Sequence, residues 1–295
     1  MTTEARNPET MNLAKMSSLE IVTAMNREDA KVPAAIAEVL PQIAQVVDWA
    51  KQSISAGGRL IYVGAGTSGR LGVLDAVECP PTFGVSYNTV VGLIAGGDSA
   101  FVKAKEGAED KPEFGKNDLL DIGLSDKDTL VAIAASGRTP YCLGALEYAR
   151  ELGCRTASIS CNKGSAVGKA AEIAIEVPVG PEVLTGSTRL KAGTCQKLIL
   201  NMISTASMVR TGHCYENLMV DVKQSNEKLV QRAQRIVSLA TGCSEEEAQA
   251  AIASTNKNTK AAVVLVLADC EAQEALEALE NAKGHVSKAL EILSK

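Results

Sequence analysis

The sequence has 295 residues, of which 46% are hydrophobic, and its formal net charge is −5 at pH 7. This apolar content is enough for a large core, and the length fits one large domain or two unequal ones. Surfaces that bind nucleic acid usually have a basic excess, so the acidic balance argues against such a partner. The chain begins with a polar segment and has no apolar run long enough for a bilayer. We therefore expect a cytoplasmic protein without membrane contact.

The cysteines and histidines argue against disulfides, zinc and a serine-hydrolase triad. Eight cysteines occur without a C-x-x-C pair and stand in helical or strand patterns, so we expect reduced thiols. The two histidines, His213 and His285, have no metal-ligand spacing around them, and neither is near a G-x-S-x-G turn.

Residues 1–56 predict an arm followed by helices. The segment 3–12 is polar and suits an arm, and Ser17 with Glu20 has the pattern of a helix start. Apolar residues recur at helical spacing over residues 32–54. Pro41 within that stretch predicts a kink or two helices.

Strands and helices alternate over residues 57–240, which we predict to be one domain. Short apolar runs predict five strands, at 59–64, 90–95, 129–135, 155–161 and 174–179. Helices are predicted at about 71–78, 99–109, 140–152, 188–211 and 223–240, and Pro80 with Pro81 should stop the first of them. This order predicts an α/β fold, a parallel sheet between two helical layers.

Residues 241–295 predict a small module of three helices, at about 245–254, 259–268 and 271–293. Ser244 and Glu247 fit a capping box at its start. The last helix should break near Gly284. The module has no group of polar residues suited to chemistry.

Two polar loops follow strands of the predicted sheet, where ligands of such sheets bind. The first is residues 64–70, in which Gly66, Thr67 and Ser68 precede a helix whose free N–H groups attract phosphate. The second loop is again rich in hydroxyls and glycine and comprises Ser136, Gly137, Arg138 and Thr139. One such loop is typical of an ordinary strand–helix turn, whereas two predict a phosphate site.

The first loop also contains the G-x-G-x-x-G spacing of dinucleotide sites. No acidic residue follows about 20 residues later, where a ribose would need one. The pattern therefore favours a phosphomonoester over a dinucleotide.

A third polar segment, residues 185–194, opens the long helix and contains Ser187, Thr188 and Lys191. Ligand contact by these residues and capping of the helix by Ser187 or Thr188 are both open from the sequence.

Two glutamates are candidate acids or bases. Glu78 is predicted at the end of a helix, where the dipole would raise the pKa of its carboxyl and suit a general acid, although a solvated glutamate fits equally well. Glu109 alone is more typical of surface charge. Comparable acids that spacing does not exclude are Asp75, Asp98 and Asp110.

Several of these motifs together resemble the N-acetylmuramic acid 6-phosphate etherase family, which is of the SIS (sugar isomerase) type. The resemblance covers nearly the whole chain, and its motifs are at residues 3–7, 60–72, 78–82, 92–97, 106–110, 134–141, 185–194 and 217–221. It implies an SIS-type three-layer sandwich and a C-terminal module similar to a ubiquitin-associated domain, without implying ubiquitin binding.

The resemblance also implies a reaction. Such enzymes split the lactyl ether of N-acetylmuramic acid 6-phosphate into N-acetylglucosamine 6-phosphate and D-lactate, by elimination and water addition, without a metal or organic cofactor. The glutamate of the E-C-P-P motif, here Glu78, is implied as proton donor, and Glu109 of the E-G-A-E-D motif as base. A homodimer is also implied. The alternatives are a sugar-phosphate aldose–ketose isomerase and a non-catalytic sugar-phosphate sensor.

Overall fold

The computed structural model describes residues 2–224 and 226–294. The first elements along the sequence are an arm and three helices. The arm forms three short 3₁₀ turns, at Thr2–Glu4, Pro8–Thr10 and Leu13–Lys15, and α1 follows at Ser18–Asp29. Ser17 and Glu20 form the expected capping box at the start of α1. The predicted interruption at Pro41 is confirmed, because α2 (Val32–Ala37) ends before α3 (Leu40–Ser55) begins.

Five parallel strands form one sheet in the order β2-β1-β3-β4-β5. They are β1 (Leu60–Gly64), β2 (Val90–Ile94), β3 (Thr129–Ile133), β4 (Arg155–Ser160) and β5 (Ile173–Glu176). The register pairs Gly64 with Ile94 on one side and with Ile133 on the other, so these strands end together. This confirms the predicted α/β fold with a parallel sheet.

Helices cover both faces of the sheet. Side chains alternate between the faces of a strand, and Ile61 and Leu130 pack into one cluster with the interior side of α7 (Pro140–Glu151). On the opposite face, Thr129 bonds Ser53 of α3 at 2.8 Å, and Gly72 of α4 (Gly66–Phe83) lies against Tyr62. The result is a three-layer sandwich.

Two predicted helices have different bounds in the structure. α4 begins within the first loop, at Gly66, and runs through Pro80 and Pro81 to Phe83. Proline has a helical φ, so both prolines fit the backbone of the last turn, where each costs the helix one N–H hydrogen bond.

The predicted helix at 99–109 is only α5 (Ser99–Val102). A turn with Gly107 at φ +75° follows, and a new helix, α6 (Pro112–Asp121), starts with proline at its first position. A further short helix, α8 (Ala166–Ala170), was not predicted.

The chain divides into two compact units, residues 1–77 with 87–204, and residues 78–86 with 205–295. The sheet belongs to the first unit, together with most of α9 (Lys191–Arg210). The division into residues 1–56, 57–240 and 241–295 stays a prediction.

In the described part of the second unit, five helices follow α9. They are α10 (Glu227–Thr241), α11 (Glu245–Ser254), α12 (Thr259–Ala268), α13 (Ala272–Asn281) and α14 (Val286–Leu293). The expected ranges of α11 and α12 and the capping box at Ser244 are confirmed. The last predicted helix is divided at Gly284, which has φ +78°. Apolar side chains from all five helices share one core. Across residues 2–224 and 226–294, no helix combines the length and apolarity needed to cross a membrane.

Candidate active site

A cleft of about 420 Å³ in the first unit brings the two predicted loops together at the carboxyl ends of β1 and β3. Its lining residues are Glu4, Ala65, Gly66, Thr67, Ser68, Glu109, Asp110, Ala135, Ser136, Arg138, Thr139, Pro140 and Thr188. The sequence predicted eight of these as contacts or catalytic groups: Gly66, Thr67, Ser68, Glu109, Ser136, Arg138, Thr139 and Thr188.

The first loop is a tight turn from β1 into α4 that only glycine permits. A Cβ on Gly69 would lie 2.5 Å from the carbonyl oxygen of Gly64, and one on Gly64 would lie 2.8 Å from the Gly69 nitrogen. The close approach brings the first turn of α4 to the end of the strand. The N–H groups of a first helical turn have no partners within the helix, so Gly66, Thr67 and Ser68 can present them to an anion.

The second loop leads from β3 into α7 and places Ser136, Arg138 and Thr139 on the cleft. Gly137 does not line it, but it fixes the shape of the loop. Its φ is +74°, and a Cβ there would lie 2.4 Å from the Ser165 Cβ, so a side chain would fit neither the backbone nor the space.

The third segment contributes Thr188 but not Ser187 or Lys191. Lys191 is 1% exposed, and its Nζ is 2.5 Å from Oε2 of Glu28 on α1. Burial raises the pKa of Glu28, but the hydrogen bonds and charges of Lys191 and Lys31 outweigh it and lower that pKa to about 2. The predicted ligand contact of Lys191 does not occur in this cleft, because its ammonium group is used in a buried ion pair.

The carboxylate of Glu182 caps the start of α9 beside this ion pair. It accepts the backbone N–H groups of Lys191 at 3.2 Å and Ala192 at 3.0 Å. Burial raises the pKa of Glu182, with these hydrogen bonds opposing it. The segment 185–194 is thus held in place by two acids that sequence spacing did not single out.

The two predicted catalytic glutamates occupy different compact units. Glu109 lines the cleft, and its carbonyl oxygen accepts the Tyr141 N–H at 3.0 Å, which ties its turn to α7. Glu78 is exposed and belongs to the second unit. Because α4 continues to Phe83, Glu78 is not at a helix end, and the structural premise of the expected dipole effect is wrong.

The other candidate acids differ in whether they line the cleft. Asp110 lines the cleft, whereas Asp75 and Asp98 do not. Asp75 is buried, which raises the pKa of its carboxyl, and its Oδ1 accepts hydrogen bonds from Asn201 at 2.7 Å and Ser204 at 3.1 Å. It therefore joins α4 to α9.

The N-terminal arm brings a residue to the cleft that the sequence did not predict there, Glu4. Asn162, which follows β4, accepts the Thr2 N–H at 2.8 Å and donates from Nδ2 to Thr3 Oγ1 at 3.0 Å. The same Nδ2 donates to the carbonyl oxygen of Ala135 at 3.2 Å, so one amide joins the arm to the second loop. The arm motif was visible in the sequence, but no local pattern indicated where it would dock.

The charges of the cleft define what it can do. Three carboxylates, Glu4, Glu109 and Asp110, and one guanidinium, Arg138, line it. An anionic ligand therefore depends on Arg138, the hydroxyl groups and the helix N-terminus. The cleft can hold a phosphate beside a carboxylate able to accept a proton. Among residues 2–224 and 226–294, no group of three or more His, Cys, Asp or Glu side chains is arranged to hold a metal ion.

Three family models match parts of the chain. The N-terminal SIS domain of glucokinase regulatory protein matches residues 42–150, and the SIS domain matches residues 113–206. The C-terminal lid domain of glucokinase regulatory protein matches residues 216–260.

Full-length relatives are considerably more similar. N-acetylmuramic acid 6-phosphate etherase of Serratia proteamaculans (strain 568) is 57% identical over 290 residues, which are 98% of both chains. The protein of the same name from Bacillus mycoides (strain KBAB4) is also 57% identical, over 98% of this chain and 99% of the relative. A solved phosphoheptose isomerase from Francisella tularensis has a TM-score of 0.51 at 19% identity, covering 66% of this chain and 100% of that one, which shows a shared fold.

Proposed function

The chain belongs to the N-acetylmuramic acid 6-phosphate etherase family, and from this premise we propose that it cleaves the D-lactyl ether of N-acetylmuramic acid 6-phosphate. The products are N-acetylglucosamine 6-phosphate and D-lactate, so the protein is a carbon–oxygen lyase of cell-wall sugar recycling. The observation that carries the proposal is the 57% identity over 98% of the chain to relatives of that name.

The reaction proceeds by elimination followed by addition of water. Ring opening makes C1 an aldehyde, which acidifies the proton on C2. A base removes that proton, the bond from C3 to the lactyl oxygen breaks, and an acid protonates the departing oxygen. Water then adds its hydroxyl group to C3 and a proton returns to C2, which gives the product sugar.

Glu109 is the base in this proposal, and its support is its position in the cleft beside the first turn of α4. Glu78 is the proton donor, which rests on the resemblance of its E-C-P-P motif to that of the family. The phosphate and sugar are bound by the lining groups of the three segments. The contacts proposed are Gly66, Thr67, Ser68, Ser136, Arg138, Thr139 and Thr188, with Gly137 shaping the second loop.

The working enzyme is proposed to be a cytoplasmic homodimer that needs neither a metal nor an organic cofactor. The family resemblance supports each of these properties. Size-exclusion chromatography with light scattering measures the dimer directly, and activity after exhaustive chelation tests the independence from metal.

The test of the function is D-lactate release from N-acetylmuramic acid 6-phosphate, measured with a coupled lactate dehydrogenase. We expect turnover by the purified protein and its loss in Glu109→Gln. Glu280→Gln, at an exposed glutamate of the second unit, is the matched control and should keep full activity. Absence of lactate release by the folded wild-type protein would contradict the proposal.

A second candidate is a non-catalytic sugar-phosphate sensor, which the two matches to domains of glucokinase regulatory protein favour. A sensor would bind sugar phosphates tightly without turnover and would tolerate Glu109→Gln. The position of Glu109 in the cleft favours the enzyme, because a sensor has no need of a proton acceptor there. An aldose–ketose isomerase would instead form ketoses from 6-phosphosugars without releasing lactate.

A further inference from the structure

Gln196 on α9 is a fully enclosed polar residue directly behind the cleft. It is 0% exposed, and its Oε1 accepts a hydrogen bond of 3.0 Å from the hydroxyl group of Ser68. Its Nε2 has no hydrogen-bond partner among residues 2–224 and 226–294. Enclosing an amide nitrogen without a partner is unfavourable. Because the Gln196 side chain is bonded to Ser68, which lines the cleft, we look for its role in that cleft.

The packing of α9 brings Gln196 to Ser68. Gly193, one helical turn before Gln196, lies against the start of α4, and a Cβ there would be 3.6 Å from Thr67 Cγ2 and 3.9 Å from Leu71 Cδ1. Residues three apart share a helix face, so the face of α9 that packs against the start of α4 at Gly193 also carries Gln196 to the next residue of the loop.

The bond direction has a consequence for phosphate binding. A serine hydroxyl has one proton, and here Ser68 gives it to Gln196. A phosphate monoester is largely a dianion above pH 6 and can only accept hydrogen bonds. Ser68 can donate to a phosphate only if it stops donating to Gln196.

We propose that Gln196 is a positioning residue for Ser68, and that its amide turns over when a sugar phosphate binds at the start of α4. A half-turn about the last side-chain torsion exchanges Oε1 and Nε2 without changing the shape of the group. Nε2 then donates to Ser68 Oγ, and the Ser68 proton points to the phosphate. The inference rests on the proposed function in that the ligand is the phosphate group of its substrate.

The first test compares Ser68→Ala, Gln196→Met and the double variant, with inorganic phosphate as a competitive inhibitor of lactate release. Methionine has a similar volume but cannot donate to Ser68. Ser68→Ala should raise the Ki of phosphate and the KM about tenfold, with kcat changed less than about threefold, because it removes the donor. Gln196→Met also removes the acceptor of the Ser68 proton, so it loses only the positioning of the hydroxyl group, and its Ki should rise by a smaller factor of about threefold. The double variant should equal Ser68→Ala, because Gln196 acts through Ser68. The proposal would be overturned if the effects of the two single variants multiply in the double variant. It would also be overturned if the Ki of phosphate is unchanged in Gln196→Met.

The second test uses Gln196→Glu and remains decisive if the methionine variant does not fold. A protonated carboxyl can donate to Ser68, whereas an ionised one can only accept. Burial raises the pKa of such a carboxyl, so the side chain is protonated at low pH and ionised at high pH. The ratio of phosphate Ki between Gln196→Glu and wild type should be near one at pH 5.5 and exceed about tenfold at pH 8.5. A ratio independent of pH would refute the inference, whereas an inactive wild type would refute the proposed function.

Discussion

Replacing Lys191 with methionine tests whether this residue contacts a ligand or stabilises the fold through a buried ion pair. The sequence predicts a ligand contact, whereas the structure has its ammonium group 2.5 Å from the Glu28 carboxylate, with both side chains nearly inaccessible to water. Lys191→Met leaves a buried carboxylate with only Lys31, which is itself 55% exposed, as its partner. Removing one member of a buried ion pair is strongly destabilising, because the other charge remains without compensation.

The low pKa of Glu28, about 2 against 4.5, reflects both Lys191 and Lys31 acting against burial, so it does not isolate the contribution of Lys191. Breaking a buried ion pair by removing one partner costs about 3 kcal/mol or more. We therefore expect Lys191→Met to lower the free energy of unfolding by about 3 kcal/mol at pH 7.5. Glu28→Gln in the same chain should restore at least about 1 kcal/mol, because it removes the uncompensated charge.

The sign of the pH dependence follows from the lowered pKa. The contribution of Glu28 is fully present above its unfolded pKa of 4.5 and is lost as the pH falls towards about 2. In Lys191→Met the carboxyl binds its proton at higher pH than in wild type. The stability difference between the two proteins should therefore narrow by about 1.4 kcal/mol per pH unit as the pH falls from the higher Glu28 pKa of the variant towards about 2.

The assay is urea unfolding followed by fluorescence of Trp49, the single tryptophan, which lies on α3 in the first unit. Lys197→Met, at an exposed lysine of the same helix, is the control and should change stability by less than about 0.5 kcal/mol. A loss below about 1 kcal/mol in Lys191→Met, accompanied by a raised KM, would refute the buried-pair reasoning and restore the ligand role.

Three further changes test other parts of the site. Gly137→Ala should destabilise the protein by more than about 2 kcal/mol in a thermal melt, because a Cβ would lie 2.4 Å from the Ser165 Cβ. The control is Gly153→Ala, at a similar φ with nothing within 4 Å, which should lose only about 1 kcal/mol. Equal losses in the two variants would contradict the steric argument. Asn162→Ala removes the hydrogen bonds that dock the arm, so tryptic cleavage at Arg6 should accelerate and the KM should rise; unchanged cleavage would mean that Asn162 does not hold the arm. Glu109→Gln should lower kcat at least about 100-fold with little change in KM, and a merely few-fold loss would exclude it as the base.

The sheet and the two polar loops were predictable from the sequence because local patterns determine them. Each strand is a short apolar run that ends at a glycine or a polar loop, and the parallel order brings the ends of β1 and β3 together. Glycines such as Gly64 and Gly69 mark the turn itself, since any side chain would clash there. The position of a residue in the fold could therefore be predicted where it follows from the local backbone.

Contacts that depend on distant packing could not be predicted from the sequence. Lys191 stands in a segment typical of ligand binding, and only the position of Glu28 on α1 shows where its charge goes. Gln196 and Asn162 belong to no chemical motif, and their partners are Ser68 and the N-terminal arm, far away in the sequence. The two prolines in α4 misled the helix prediction, because the fixed φ of proline is itself helical and α4 continues through both residues to its end at Phe83.

The most direct measurement of the central claim is the isotopic outcome of one turnover in deuterated, ¹⁸O-labelled water. Elimination and addition of water predict N-acetylglucosamine 6-phosphate with deuterium at C2 and ¹⁸O at C3, together with D-lactate that keeps its own oxygen and carries no ¹⁸O from the solvent. Mass spectrometry of both products reads these labels. Solvent ¹⁸O in the lactate hydroxyl group with no deuterium at C2 would instead mean displacement at the lactyl carbon, and would contradict the account.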